Sequence, residues 1–232
     1  MASAYEQIQS ISFGQKLIPK GIFNRFRQLR PAIGKNYGMN NLNKLLVVAE
    51  SNYFKDDLET KSVFKDAEKW YFDENCLLIP DEKEKDVQSW VDENRTPFNN
   101  ISKSMKEVLN EANIKYDDGL LEEFSYYKNY FLRPASVKGT DRSFKKDCKQ
   151  IDREIAGIAL CGIIDIIKPD ILIFTSKYAW EEFTKYCQNA NLVFENTEIH
   201  FVCHPSSPHW NNKNGSGKQN FESLLRKYWL RN

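Results

Sequence analysis

The chain has no apolar run approaching the roughly 20 residues needed to span a bilayer. Its opening residues, Met1-Ala2-Ser3-Ala4-Tyr5-Glu6, lack the basic-then-apolar pattern of a signal peptide. A cytoplasmic protein with no membrane association is the expectation. Cysteine is sparse and unpaired in spacing: Cys76, Cys148, Cys161, Cys187 and Cys203 are odd in number and include no C-x-x-C. That disfavours a disulfide framework and a zinc or iron-sulfur cage, and leaves reduced, mostly buried thiols. There are only three histidines, His200, His204 and His209, clustered beside Cys203. Strand alternation sets His200 and Cys203 on opposite faces, so neither a metal nor another cofactor is expected. The glycine-containing stretch Asn212-Lys213-Asn214-Gly215-Ser216-Gly217-Lys218 does not match G-x-x-x-x-G-K-[ST], which argues against a P-loop NTPase. No internal repeat or low-complexity tract is present.

With 232 residues, 41% hydrophobic and 13% aromatic, the chain can bury one sizeable core, and a single domain spanning 1–232 is expected. The net charge of +1 conceals an asymmetry: residues 1–48 carry +6, residues 49–123 carry −10 and residues 124–232 carry +5. A polyanion would approach the surface built by the two ends, while the acidic middle would face elsewhere. The plainer alternative is a set of ordinary solvated faces.

The first 43 residues form a basic lead-in, with Arg25, Arg27 and Arg30 before Pro31. Leu45-Leu46-Val47-Val48 is a short continuous apolar run, the pattern of a strand buried on both faces. Residues from about 57 to 95 then form an acidic insertion, in which residues 80–86 resemble a surface turn entering a helix. The aromatic segment 126–132 reads as a second strand with its tip near Arg133. Ile151, Ile155, Ile158, Ala159, Ile163 and Ile166 recur at helical spacing until Lys168-Pro169, where proline disfavours helix at the preceding residue. Ile171-Leu172-Ile173-Phe174 is a third strand, Thr175-Ser176 could cap the following helix, and residues 199–203 form a fourth strand. An amphipathic C-terminal helix presents Phe221, Leu224, Leu225, Tyr228 and Trp229 on one face. The expected fold is therefore α/β: a three-layer α/β/α sandwich around a short, mostly parallel four-stranded sheet. In such open sheets the ligand crevice lies beyond the strands' C-terminal tips. Here those tips deliver Ala49-Glu50-Ser51-Asn52-Tyr53 and His204-Pro205-Ser206.

These two edges resemble the first and last motifs of the uracil-DNA glycosylase superfamily, a strand followed by GQDPYH or GEAPG and a strand followed by HPS. The resemblance runs from about residue 44 to the end, interrupted by the acidic insertion. Pro97-Phe98-Asn99-Asn100-Ile101 resembles the family's proline-containing DNA-backbone loop, and Asn129 falls where a strand-borne asparagine reads the extruded base. The departures are specific. Ser51 stands where GQDPYH has its water-activating aspartate, and Asn52 where both patterns have proline. Glu50 matches the glutamate of GEAPG, and Asp56 lies where a second carboxylate occurs in one variant.

The resemblance implies a monofunctional DNA glycosylase that hydrolyses the N-glycosidic bond of uracil or a modified pyrimidine and leaves an abasic site. Base-excision repair and anti-phage defence against modified cytosines are both open. Such a reaction puts positive charge on the sugar and negative charge on the departing base, so it needs a donor at the base and a water-positioning group beneath the sugar. His204 suits the first need, and Glu50, Asp56 or Asn52 the second. Ser51, Tyr53, Phe64, Asn129 and Ser206 would contact the base, Tyr53 matching the family's tyrosine against 5-substituted pyrimidines and Phe64 offering a stacking face. Pro97, Asn100, Ser207, Pro208, His209, Trp210, Lys213 and Lys218 would contact DNA, with Trp210 as a wedge filling the hole left by the flipped nucleotide. A monomer acting on DNA with a damaged or modified base is expected. Two alternatives remain: a catalytically inactive DNA-binding module of the same fold, for which Ser51 in place of aspartate speaks, and a hydrolase of nucleosides or nucleotides.

Overall fold

The computed structural model describes residues 3–12, 22–25, 29–39, 41–51, 66–72, 96–116, 120–127, 129–134, 144–212 and 216–231. Within them lie five strands, β1 (Ala32–Ile33), β2 (Leu45–Val48), β3 (Ser125–Tyr127), β4 (Ile171–Phe174) and β5 (Glu198–Phe201). The helices are α1 (Ala4–Gln9), α2 (Ile22–Arg25), α3 (Ala67–Phe72), α4 (Thr96–Glu111), α5 (Gln150–Ile167), α6 (Lys177–Asn189) and α7 (Gly217–Leu224). One mixed sheet runs in the order β1-β3-β2-β4-β5. The last four strands in that order are parallel, and β1 lies antiparallel to β3.

The sheet thus has one strand more than the sequence pattern implied. Two residues are too few to establish a period, and β1 is recognisable only from its pairing of Ala32 with Tyr126 and Ile33 with Ser125. The expected strand at 126–132 is also shorter, ending at Tyr127. Beyond it the Tyr130 and Phe131 N–H groups bond the Ala49 and Glu50 carbonyls in the loop after β2.

Alternation along the strands sorts the core into two halves. Leu46, Val48, Tyr127, Leu172 and Phe174 face one cluster, which also takes in Ile8, Phe23, Trp70, Ile155, Ala159 and Phe183 from α1, α2, α3, α5 and α6. Leu45, Val47, Tyr126, Ile171 and Ile173 face the other, with Phe98, Ile101 and Met105 of α4 and Phe221 of α7. Both sheet faces are covered by helices, which is why β2 and β4 are buried at every position and read as continuous apolar runs. Helix α3 falls inside the acidic stretch, yet it buries Trp70 and Tyr71 in the first cluster. Residues 80–86 lie outside the described residues.

Element ends follow from local chemistry. Lys168 adopts a left-handed conformation (φ 47°) after α5, and Pro169 forbids continuation. The Ser216 hydroxyl accepts the Gln219 N–H at 3.0 Å and starts α7. The expected C-terminal helix does not stay α-helical: Leu225–Trp229 forms a π-turn that still buries Leu225 and Trp229. The chain end is fastened beside β2, where the Asn43 N–H donates to the Trp229 carbonyl at 2.7 Å.

The strongest polar element of the interior is an ion pair. Arg133 donates from Nε and Nη2 to the two carboxylate oxygens of Asp152 at 2.8 and 2.6 Å, and both side chains are almost wholly buried. The Tyr71 hydroxyl and the Lys149 N–H donate to the same carboxylate at 3.0 and 2.8 Å. Its burial and the neighbouring Asp152 charge hold the Tyr71 hydroxyl far above the usual phenol range. This network joins α3, the segment after β3 and the start of α5. Asp152→Ala leaves the guanidinium buried without its counter-charge and is expected to cost about 3–5 kcal/mol, measured by urea unfolding. A loss below about 1 kcal/mol would mean that solvent reaches the pair.

Among the described residues no helix is long and apolar enough to cross a membrane.

Candidate functional site at the strand tips

Val48 is in register with Tyr127 on one side and Phe174 on the other, and Phe174 with Phe201. The loops after β2, β3, β4 and β5 therefore leave the same edge of the sheet. The ladder continues into them: Ala49 donates to the Tyr127 carbonyl at 2.9 Å, Thr175 to Val48 at 2.8 Å and Val202 to Phe174 at 2.8 Å. Tyr130 then returns its N–H to the Ala49 carbonyl at 3.0 Å, and Phe131 to Glu50 at 2.9 Å. Both backbone groups of Ala49 are engaged by the β3 side, so the first loop has a fixed starting direction.

Glu50 is half-buried. Its Oε1 accepts the Phe144 N–H at 3.0 Å, and its Oε2 accepts the Ser176 hydroxyl at 2.5 Å. Ser176 is the N-cap of α6, its Oγ accepting the Ala179 N–H at 3.2 Å. The carboxylate thereby bonds the side chain that starts a helix. Two acceptor positions are used, and an ionised carboxylate offers about four. Ser176 was anticipated only as a cap; its bond to Glu50, 126 residues away in sequence, has no local signature.

His204 lies at the tip of β5 in a turn closed by donation from Ser207 N–H to its carbonyl at 2.7 Å. Its Nδ1 accepts the Ser206 N–H at 3.1 Å. A neutral imidazole with its Nδ1 lone pair so occupied carries the proton on Nε2. His204 is an exposed residue, and partial desolvation by the protein around it lowers its pKa from the usual value. The Ser206 contact acts in the same direction, because a protonated Nδ1 could not accept it. Asn100 supports the turn from α4, its Nδ2 donating to the Pro205 carbonyl at 2.7 Å.

Asn129, beyond β3 on the same sheet edge, is 1% exposed, with neither amide atom hydrogen-bonded. The Ser51 hydroxyl is likewise buried and unpaired. Native interiors rarely tolerate such groups, each costing about 1–3 kcal/mol, unless a ligand or water satisfies them.

The structure corrects several expected DNA contacts. Pro97 belongs to the first turn of α4, not to a loop, as proline at a helix start permits, and Phe98 is buried in the core. Asn100 spends its amide on Pro205 as described, so it positions the His204 turn. Trp210 is 1% exposed and packs against Phe221 with ring centroids 5.9 Å apart, which rules it out as a protruding wedge. Backbone bonds from Lys218 N–H to the Trp210 carbonyl (3.0 Å) and from Gly217 N–H to the His209 carbonyl (3.1 Å) fix it there. Lys218 is bound to Glu107 at 2.8 Å and lies 3.5 Å from Glu222, so its charge is neutralised within the protein. Ser206, Pro208 and His209 remain exposed and Ser207 half-exposed around His204. Asn52, Tyr53, Asp56, Phe64 and Lys213 lie outside the described residues. Among the described residues no group of three or more His, Cys, Asp or Glu side chains could hold a metal ion. Cys148, Cys161, Cys187 and Cys203 are free thiols and half-buried, against the expectation of mostly buried ones.

An Asn129 side chain kept for ligand contact should weaken the free protein. Asn129→Leu, similar in volume and without polar atoms, is expected to raise unfolding free energy by about 1–3 kcal/mol in denaturant titration. Destabilisation of that size would assign Asn129 a structural bond instead.

No protein-family model matches this chain, and no curated protein matches it.

Proposed function

We propose that this protein is a monofunctional DNA glycosylase resembling the uracil-DNA glycosylase superfamily, acting on uracil or a modified pyrimidine in base-excision repair or in defence against modified phage DNA. The observation that carries this reading is Asn129: a buried amide with one acceptor and two donor positions unused, on the same sheet edge as a histidine whose Nε2 is free to donate. An amide of that kind matches the mixed donor and acceptor edge of a flipped pyrimidine.

In the proposed reaction the bond from the sugar carbon to the base nitrogen breaks as water adds to that carbon. The electron pair leaves with the base, and the Nε2–H of His204 bonds the pyrimidine oxygen on which charge gathers. That bond strengthens toward the transition state and so accelerates the step. Glu50, with acceptor positions left over, orients the water and takes up its proton. Glu50 and His204 extend from β2 and β5, which are separated by β4 and hence by two strand spacings, about 10 Å. Asn129 follows β3, on the far side of β2 from β5, so the bound nucleotide would lie across the tips of all four parallel strands.

A second reading is favoured by the state of Glu50 itself. Its carboxylate already bonds Phe144 and Ser176, and a group so occupied serves a structure that binds DNA without hydrolysing it.

Mass spectrometry of bases released from duplex and single-stranded DNA containing uracil, mismatches or phage-type cytosines separates the two. The glycosylase reading expects a free base and alkali-labile DNA, with His204→Ala reducing turnover roughly 10²–10³-fold while DNA affinity stays within about twofold. Salt-sensitive binding across the whole panel with no base released would establish the binding module in its place.

A further inference from the structure

The sheet ends differently on its two sides. At one edge β1 is only two residues long, and the Tyr5 hydroxyl of α1 accepts its Ile33 N–H at 3.1 Å. At the other edge β5 pairs with β4 alone, and among the described residues no strand lies against its outer side. The Glu198 N–H donates to the Asp170 carbonyl at 2.9 Å, and the Val202 N–H to the Phe174 carbonyl at 2.8 Å. Backbone groups alternate in direction along a strand, so Glu198, His200 and Val202 are turned to β4 while the N–H and C=O of Ile199 and Phe201 point outward. The strand contains neither lysine nor proline, which commonly blunt a free edge.

Its side chains divide between two faces. Ile199 packs on the first core cluster, and the Phe201 ring stacks on Trp180 of α6 with centroids 4.4 Å apart, yet Phe201 stays exposed. On the other face the Glu198 carboxylate stands 3.4 Å from His200 Nε2, and the His200 ring lies 4.9 Å from that of Tyr228. The segment between α6 and β5 adds two more exposed apolar residues, Leu192 and Val193.

We propose that β5 pairs antiparallel with β5 of a second copy of this chain, joining the two sheets about a two-fold axis. An antiparallel pair sets same-face residues opposite each other and outward backbone groups against outward ones. Two registers centred inside the strand meet both conditions. The one centred on His200 sets the two imidazoles against each other and Glu198 against Val202. The one centred on Ile199 sets each Glu198 opposite the partner's His200, and this match of acid to imidazole, made twice, selects it. There the two Ile199 residues exchange both backbone hydrogen bonds, and each Phe201 N–H meets the partner's Thr197 carbonyl. Glu198 and His200 fall in the non-hydrogen-bonded pairs, whose side chains approach most closely. On the other face the Ile199 side chains meet at the axis, and Phe201 meets the partner's Thr197, at the end of the segment that carries Leu192 and Val193. Such a contact is isologous and stops at two copies, in place of the expected monomer. It does not depend on the chemistry proposed at the strand tips.

Sedimentation equilibrium of the full chain over rising concentration, with amide hydrogen exchange on the same samples, tests the pairing. The expected result is a monomer–dimer equilibrium in which the Ile199 and Phe201 N–H groups exchange freely in dilute protein and become protected as dimer forms, while those of Glu198 and Val202 are protected throughout. Glu198→Lys, at an exposed position, should weaken the dimer on the order of tenfold, since two cross-strand pairs are lost at once, and adding His200→Glu should restore it. A chain that stays monomeric to millimolar concentration, leaving the edge to a strand of another protein, would overturn the proposal. So would Ile199 and Phe201 amides protected in the monomer, where another segment of the same chain covers the edge, association that grows beyond two copies, or a dimer that Glu198→Lys leaves unchanged.

Discussion

The whole arrangement depends on the burial of β2 between β3 and β4. Every one of its residues is buried, so its backbone groups have only neighbouring strands to bond. The requirement does not stop at Val48. Ala49 is held on both its N–H and its carbonyl from the β3 side, and the Val48 carbonyl is taken by Thr175 from the β4 side. A loop leaving a central strand under such constraint has few conformations, and Glu50 and Ser51 inherit fixed positions from it. Preorganisation of this kind is what a reacting or reading group needs, because the cost of ordering is met by folding and not by binding.

Around that strand the polar groups fall into two kinds. Arg133, Asp152, Tyr71 and the Lys149 N–H bond one another in a closed set that ties three segments together. Glu50, Ser176 and the Phe144 N–H make a second set at the sheet edge, in which Glu50 keeps acceptor positions unused. The Asn129 amide and the Ser51 hydroxyl, on the same sheet edge, have no hydrogen-bond partner. On the proposed reading, the unsatisfied Asn129 amide is kept for a ligand.

Much of the fold was legible in the sequence, and for one reason: strands buried on both faces write themselves as apolar runs. Leu45–Val48 and Ile171–Phe174 occur where the runs do, and α5 runs from Gln150 to Ile167 as the spacing of its isoleucines and Pro169 require. Strand β1 escaped because pairing, not pattern, makes it a strand. Of the candidate site, only the positions near strand tips were legible, where Glu50, Asn129 and His204 lie. Which partners those side chains take was not, because Ser176, Phe144 and Asn100 reach them from distant parts of the chain. The loop after His204 misled for a related reason: a large flat aromatic in residues 207–211 resembles a wedge, and only the packing of α7 against it shows Trp210 to be core.

The central claim is that Asn129 and His204 face one bound base. Nuclear magnetic resonance of the free protein and of its titration with a uracil-containing oligonucleotide tests it most directly, through the Asn129 side-chain amide and the His204 imidazole nitrogens. The account predicts a neutral His204 protonated on Nε2 before addition, and saturable shifts of both side chains with one common dissociation constant. An Asn129 amide that stays unmoved while His204 shifts, or a His204 protonated on Nδ1, would contradict it.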